Sequence, residues 1–293
     1  MAPFGHLLTA MITPFTSTGE VDYERTWRLA RFLVDNGSEG LVVTGTTGES
    51  PTLTNDEKVA LYRTVVEAVG DKAQIVAGTG TYNTAESVEL TRRAAEVGCS
   101  GVMAVTPYYS RPPQQGLIEH FTAVADASDL PVLLYNIPGR TGRRIEIDTL
   151  ARLAEHPRIV AVKDAVGELT FTTNTRLATD EPFAIYSGDD INTLPMMAVG
   201  AVGVVSVAAH LAGKQIKAMV EAALAGDLIT ARALHLALAP LAGALFLEPN
   251  PMPVKAAMNA LWEPVGDPRS PLVPASEETV QKIKQALGEV QQR

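Results

Sequence analysis

The 293-residue chain has a single cysteine, Cys99. That excludes an intrachain disulfide and any cysteine-built zinc site. In EVGCSG, just ahead of an apolar run, Cys99 reads as a small buried filler. No lysine/arginine run exists either. With 24 basic against 33 acidic residues the net charge is −9, which makes nucleic acid and anionic membrane poor partners. No apolar stretch approaches the roughly 20 residues of a membrane span. The opening MAPFGHLLTAMITPF lacks the basic start and small-residue cleavage site of a signal peptide, so a cytoplasmic location is expected. His6, His120, His156, His210 and His235 are scattered, with no HExxH or paired-ligand spacing, and no metal is expected. A phosphate loop and the dinucleotide fingerprint are absent, and Ser187-Gly188 lacks the GxSxG of a nucleophile elbow. What remains is 46% hydrophobic and 19% charged, ample material for a globular core.

Eight β-rich apolar runs recur at the spacing of βα units: 7–15, 40–45, 74–80, 101–109, 131–138, 159–165, 183–190 and 202–210. Helical patterns separate them. Residues 23–37 put Trp27, Leu29, Ala30, Leu33 and Val34 at helical spacing and stop at Gly37. Residues 54–70 open with Thr54 three places before Glu57, a capping box; 84–98 and 146–157 repeat the pattern. Most strands are continuous apolar runs, as in a parallel sheet covered by helices. The pattern predicts an α/β fold, a (β/α)8 or TIM barrel, with an open doubly wound sheet as second choice. From about residue 212 helix follows helix. The expected division is a catalytic barrel over 1–211 and a C-terminal helical bundle over 212–293 packed on it.

The chemistry of such a barrel belongs at the C-terminal ends of its strands. There the chain offers TGTTGES, TPYYSRP, YNIPGRTG, Lys163-Asp164 and SGDD. Lys163 follows the buried run Ile159-Val160-Ala161-Val162 and, by alternation, shares a face with Ala161 and Ile159. If that face is inward, desolvation lowers its pKa; three units would cost roughly 4 kcal/mol. The return is a neutral amine able to attack a ketone. A lysine paired with Asp164 or another carboxylate is an equal reading of the strand alone. Tyr135 ends the neighbouring strand, where a phenol can relay protons, although a lone tyrosine is more often a core aromatic with a wet tip. Arg140 follows Pro138-Gly139 and suits a substrate carboxylate, although most arginines are simply surface charges. The turn Gly45-Thr46-Thr47-Gly48-Glu49 supplies hydroxyls and backbone N–H groups that can cradle a carboxylate, or it is an ordinary turn. Tyr108 and Tyr109 must point opposite ways, so at most one faces the site in its own subunit. Asp189 and Asp190 read as a strand-end turn or lysine partners before they read as a cation site.

Taken together, TAMITPF, GTTGES, AGTG, TPYY, YNIPGRTG, VKDAVG, SGDD and NPMPVK resemble the pyruvate-dependent class I aldolase and lyase superfamily of N-acetylneuraminate lyase and dihydrodipicolinate synthase. The likeness runs along nearly the whole chain. It implies a barrel with a C-terminal helical extension, usually a homotetramer built as a dimer of dimers, and no cofactor beyond a covalent pyruvate imine. By this resemblance Lys163 is the Schiff-base lysine and Tyr135 the proton relay. Thr46 and Tyr109 complete its hydroxyl triad, Tyr109 coming from the partner subunit. Thr47 with Gly45 would hold the pyruvate carboxylate, and Arg140 the carboxylate of aspartate semialdehyde. Val205 falls where a backbone carbonyl lies near the lysine. GTTGE and the arginine of YNIPGRTG favour the synthase branch, making 4-hydroxy-tetrahydrodipicolinate for lysine and diaminopimelate biosynthesis. The alternative is a lyase of 2-keto-3-deoxy or N-acetylneuraminate-type sugar acids. Lysine-inhibited members commonly carry histidines after the GTTGES turn, where this chain has Asn55 and Lys58. Their pocket asparagine is replaced by Tyr82 or slips to Asn83, although Glu86 and Tyr108 match. A cation at position 58 predicts weak or absent lysine feedback.

Overall fold

The computed structural model describes residues 2–291. Eight parallel strands close in sequence order: β1 (Leu7–Ala10), β2 (Gly40–Val43), β3 (Gln74–Gly78), β4 (Gly101–Val105), β5 (Val132–Asn136), β6 (Ile159–Asp164), β7 (Ala184–Ser187) and β8 (Gly203–Ser206). The pairing of Leu8 with Val205 closes the ring. All eight expected strands are present, each inside the run that predicted it. They are shorter because the apolar runs continue into rim loops; β2, for instance, ends where Thr44 turns to φ 56°.

Helices α1 (Tyr23–Asp35), α2 (Asn55–Val69), α3 (Thr84–Glu96) and α4 (Gln114–Asp126) cover the first half of the sheet. Then come a one-turn α5 (Pro138–Thr141), α6 (Ile147–Ala154), α7 (Leu169–Ala178) and α8 (Thr193–Ala198). Helix α2 starts on the expected capping box: Thr54 Oγ1 accepts from the Glu57 N–H, and the Glu57 carboxylate accepts from the Thr54 N–H.

Because the strands are apolar on both faces, they bury two cores. The larger lies between sheet and helices. The smaller fills the barrel interior with side chains such as Leu8, Val42, Val76, Leu133 and Ala161. Phe4 seals its N-terminal end, and a Cβ on Gly101 would come within 2.5 Å of that ring. The Tyr186 hydroxyl ties the plug down, accepting from the Phe4 N–H (3.3 Å) and donating to the Gly5 carbonyl (2.9 Å). The open end of the barrel is therefore the opposite one.

Helix α9 (Ala209–Leu224) follows β8 and packs on β1, α1 and α8, with a break in helical geometry at Ala212 (φ −134°, ψ 37°). Helices α10 (Leu228–Ala244), α11 (Met252–Leu261) and α12 (Glu277–Gln291) pack on α9 and on one another. Among the described residues no helix is long and apolar enough to cross a membrane.

Candidate active site

Lys163 lies near the C-terminal end of β6, paired in register with Tyr135 of β5 and Tyr186 of β7. One detail of the alternation differs from expectation. The β5–β6 register skips Val160, pairing Val132 with Ile159 but Leu133 with Ala161. Ile159 therefore joins the outer core, while Ala161 and Lys163 face inward. The slip lies three residues before the lysine and leaves its direction intact.

The side chain is 5% exposed. Asp164 is not its partner: that carboxylate faces the helix layer and accepts from the Val166 N–H (3.0 Å) and the Thr172 hydroxyl (2.7 Å). Lys163 makes no ion pair among the described residues, and its Nζ lies 4.2 Å from the centre of the Tyr135 ring. Burial pulls the amine down to about 8; Arg140 adds to the drop, while Asp190 and Asp189 oppose it. An amine of pKa 8 is about one-tenth neutral at pH 7, roughly three-hundredfold more than an ordinary lysine.

The Tyr135 ring also walls a cavity of about 220 Å³, whose lining includes Gly45, Thr46, Tyr108 and Arg140. Burial pushes the Tyr135 phenol up to about 12; the Arg140 charge and the adjacent Thr46 hydroxyl work against that. A phenol of that pKa stays protonated and is suited to passing protons on. Arg140 stands on α5 at the mouth, exposed, and Nη2 donates to the Asn250 carbonyl (3.3 Å). Its loop is held by Asn136, whose amide donates to the Ile145 carbonyl and accepts from the Ile145 N–H, both at 3.0 Å.

The turn after β2 is strained and firmly held. Thr44 and Glu49 both sit in the left-handed region, φ 56° and 57°, uncommon for residues with a Cβ. The Thr44 hydroxyl donates to Tyr62 Oη (3.1 Å), which donates to the Gly78 carbonyl (2.9 Å). Gly78 must be glycine, because a Cβ there would meet the Thr44 carbonyl oxygen at 2.5 Å. Thr47 is buried and its hydroxyl accepts from Asn250 Nδ2 (2.9 Å), which leaves the Thr47 proton free to donate. Asn250 Oδ1 is buried without a partner among the described residues.

The remaining expected residues are dispersed in kind. Val205 is buried in the barrel interior on β8. Tyr108 faces the cavity, but Tyr109 is 95% exposed with φ 68° and lies outside the cavity lining of its own chain. The Asp190 carboxylate accepts from the Ser206 hydroxyl and the N–H groups of Val207 and Ala208; Asp189 accepts from Asn192 Nδ2. Both serve loop structure, and no group of His, Cys, Asp and Glu among the described residues could hold a metal ion. Lys58 is buried on α2; burial lowers its pKa while nearby Glu86 raises it. Asn55 begins the same helix, and Tyr82 packs edge-on against Tyr108 with ring centres 5.3 Å apart.

Residue-level reading missed Asn250, Lys255 and Tyr62. NPMPVK stood out only as part of the resemblance, and nothing in its composition announces a partner two hundred residues earlier in the chain.

Residues 3–290 match the dihydrodipicolinate synthetase family. The 4-hydroxy-tetrahydrodipicolinate synthase of Moorella thermoacetica is 54% identical over 286 residues, covering 98% of each chain. Among solved structures, dihydrodipicolinate synthase from Bacillus anthracis is 47% identical with a TM-score of 0.95, covering 98% of this chain and 99% of that one. The enzyme from Cyanidioschyzon merolae, solved with lysine bound, is 44% identical with a TM-score of 0.97 and covers 99% of both.

Proposed function

This chain belongs to the dihydrodipicolinate synthetase family, and from that premise we propose that it condenses pyruvate with aspartate semialdehyde through an imine on Lys163, giving 4-hydroxy-tetrahydrodipicolinate. The observation that carries the reading is the buried, unpaired amine lying against the tyrosine that walls the cavity.

The neutral Lys163 attacks the keto carbon of pyruvate. Tyr135 and Thr46 protonate the carbinolamine hydroxyl, which leaves as water and yields the imine. Loss of a methyl proton gives the enamine, whose carbon attacks the aldehyde of the second substrate. The amine of that substrate then displaces Lys163, closing the ring and freeing the enzyme. In this scheme the Thr47 proton and the backbone at Gly45 hold the pyruvate carboxylate. Arg140, at the mouth, receives the carboxylate of aspartate semialdehyde, and Val205 offers its carbonyl beside the amine. Tyr109 completes the hydroxyl chain from a partner subunit; its exposure in its own chain supports that assignment, and with it the homotetramer. The carbon chemistry runs on the covalent imine and calls for no external cofactor. The same reading treats 1–211 as the catalytic barrel, 212–293 as its helical extension, and the enzyme as cytoplasmic; residues 1, 292 and 293 lie outside the described residues.

Pyruvate with borohydride, followed by peptide mapping, tests the first half; the expected mass gain is on Lys163. Turnover is then compared between aspartate semialdehyde and a 2-keto-3-deoxy sugar acid. Trapping on another residue, or turnover of the sugar acid alone, overturns the assignment.

A further inference from the structure

The turn that carries Thr46 and Thr47 is tied to the C-terminal helices by a charge pair shut away from water. Glu49, the last residue of the turn, and Lys255 of α11 both have fully buried side chains, and Lys255 Nζ donates to Glu49 Oε1 at 2.8 Å. Each is satisfied a second time. Lys255 donates to the Asp267 carbonyl (3.2 Å), and Glu49 Oε2 accepts from the Arg269 N–H (2.8 Å). Phe15 backs the group, its ring centre 4.1 Å from Lys255 Nζ and 4.5 Å from the Arg269 guanidinium carbon. None of these groups lines the cavity.

Stability alone is a poor reason for such a pair, since a buried ion pair can often be exchanged for apolar side chains at little loss. What it does well is fix geometry. Glu49 sits at φ 57°, a conformation that a side chain with a Cβ adopts only when something holds it there. The backbone from Gly45 to Ser50 folds on itself through Glu49 N–H to the Thr46 carbonyl (3.1 Å) and Ser50 N–H to the Gly45 carbonyl (3.2 Å). Any pull on Glu49 is therefore transmitted to the residue that faces the Tyr135 phenol.

We infer that Glu49 and Lys255 are positioning residues for the imine chemistry: their buried pair sets the turn so that Thr46 meets Tyr135 and Thr47 presents its proton to the pyruvate carboxylate. This rests on the function proposed above. It also gives the helical extension a role in catalysis, although it supplies no group to the reacting atoms through this pair.

The test uses the intact protein and two variants, Lys255→Met and the charge-free E49Q/K255M. The first leaves a buried carboxylate unpaired and is free to unfold; the second leaves no lone charge, so the decision rests on it. Its thermal unfolding should resemble the parent's, while borohydride trapping of pyruvate on Lys163 slows about a hundredfold, the scale of an ångström-sized misplacement. The pH profile of that trapping should keep its midpoint, because neither Glu49 nor Lys255 is among the charges that act on Lys163. A charge-free variant that traps pyruvate at the parent rate overturns the inference and leaves the function standing. A parent protein that traps no pyruvate overturns the function first, and this inference with it.

Discussion

Replacing Lys163 with methionine should make the protein more stable at neutral pH while abolishing its chemistry. In the folded chain the amine falls from 10.5 to about 8, chiefly through burial. At about 1.4 kcal/mol per unit, a protonated Lys163 costs roughly 3 kcal/mol of stability. The sign follows from proton counting. Below pH 8 both folded and unfolded chains carry the proton, and the folded one bears the whole penalty. Between pH 8 and 10.5 the unfolded chain holds the proton that the folded one has released, so stability rises with pH. Above 10.5 the penalty is gone. Methionine keeps most of the volume and removes the charge. Its advantage should therefore be about 3 kcal/mol at pH 7 and should shrink as pH climbs from 8 toward 10.5. Denaturant titrations of parent and Lys163→Met at pH 7 and pH 10 read both numbers. A variant no more stable than its parent at pH 7, or an advantage that does not change with pH, would refute the picture of a desolvated amine.

Arg140→Ala should act twice. On the proposed role of Arg140, losing its guanidinium should lower kcat/KM for aspartate semialdehyde about ten- to hundredfold. Because the Arg140 charge helps lower the Lys163 pKa, the pH profile of pyruvate trapping should also move to higher pH; an unmoved profile counts against the coupling. Lysine at millimolar concentration should leave the rate unchanged. Lys58 is already buried beside Glu86, where a cationic effector would need that carboxylate. Clear inhibition in a steady-state assay would show that the internal cation does not stand in for the ligand.

The barrel was legible because strands buried on both faces leave unbroken apolar runs, and eight such runs at βα spacing admit few other arrangements. Strand ends were less legible, since segments such as TPYY and YNIP stay apolar or aromatic beyond the last ladder bond. The slip at Val160 left no trace, because a one-residue irregularity changes neither composition nor run length. Lys163 was the most readable candidate site residue: a lysine continuing a buried strand must be either desolvated or paired. The same rule would have found Lys255 had NPMPVK been read as a buried helix, but its partner Glu49 comes near only when the C-terminal helices close on the rim. Thr47 and Asn250 were separated for the same reason.

The choice between those two fates for Lys163 is made by its neighbours' commitments. Three aspartates lie within electrostatic or sequence reach, and each has its oxygens engaged elsewhere. Asp164 is held by the Val166 N–H and Thr172; Asp190 by Ser206 and two N–H groups at the start of α9; Asp189 by Asn192. Burial raises the pKa of all three, so none reaches toward the amine as a free, fully solvated charge would. Asp189 and Asp190 still act on Lys163 at a distance, which keeps its pKa near 8 rather than lower. That value is useful in itself: a lower pKa would free more amine at pH 7 but make each molecule a weaker nucleophile, while a true ion pair would leave almost none free. The hydrogen bonds that hold these carboxylates are thus part of how the barrel keeps this buried lysine unpaired.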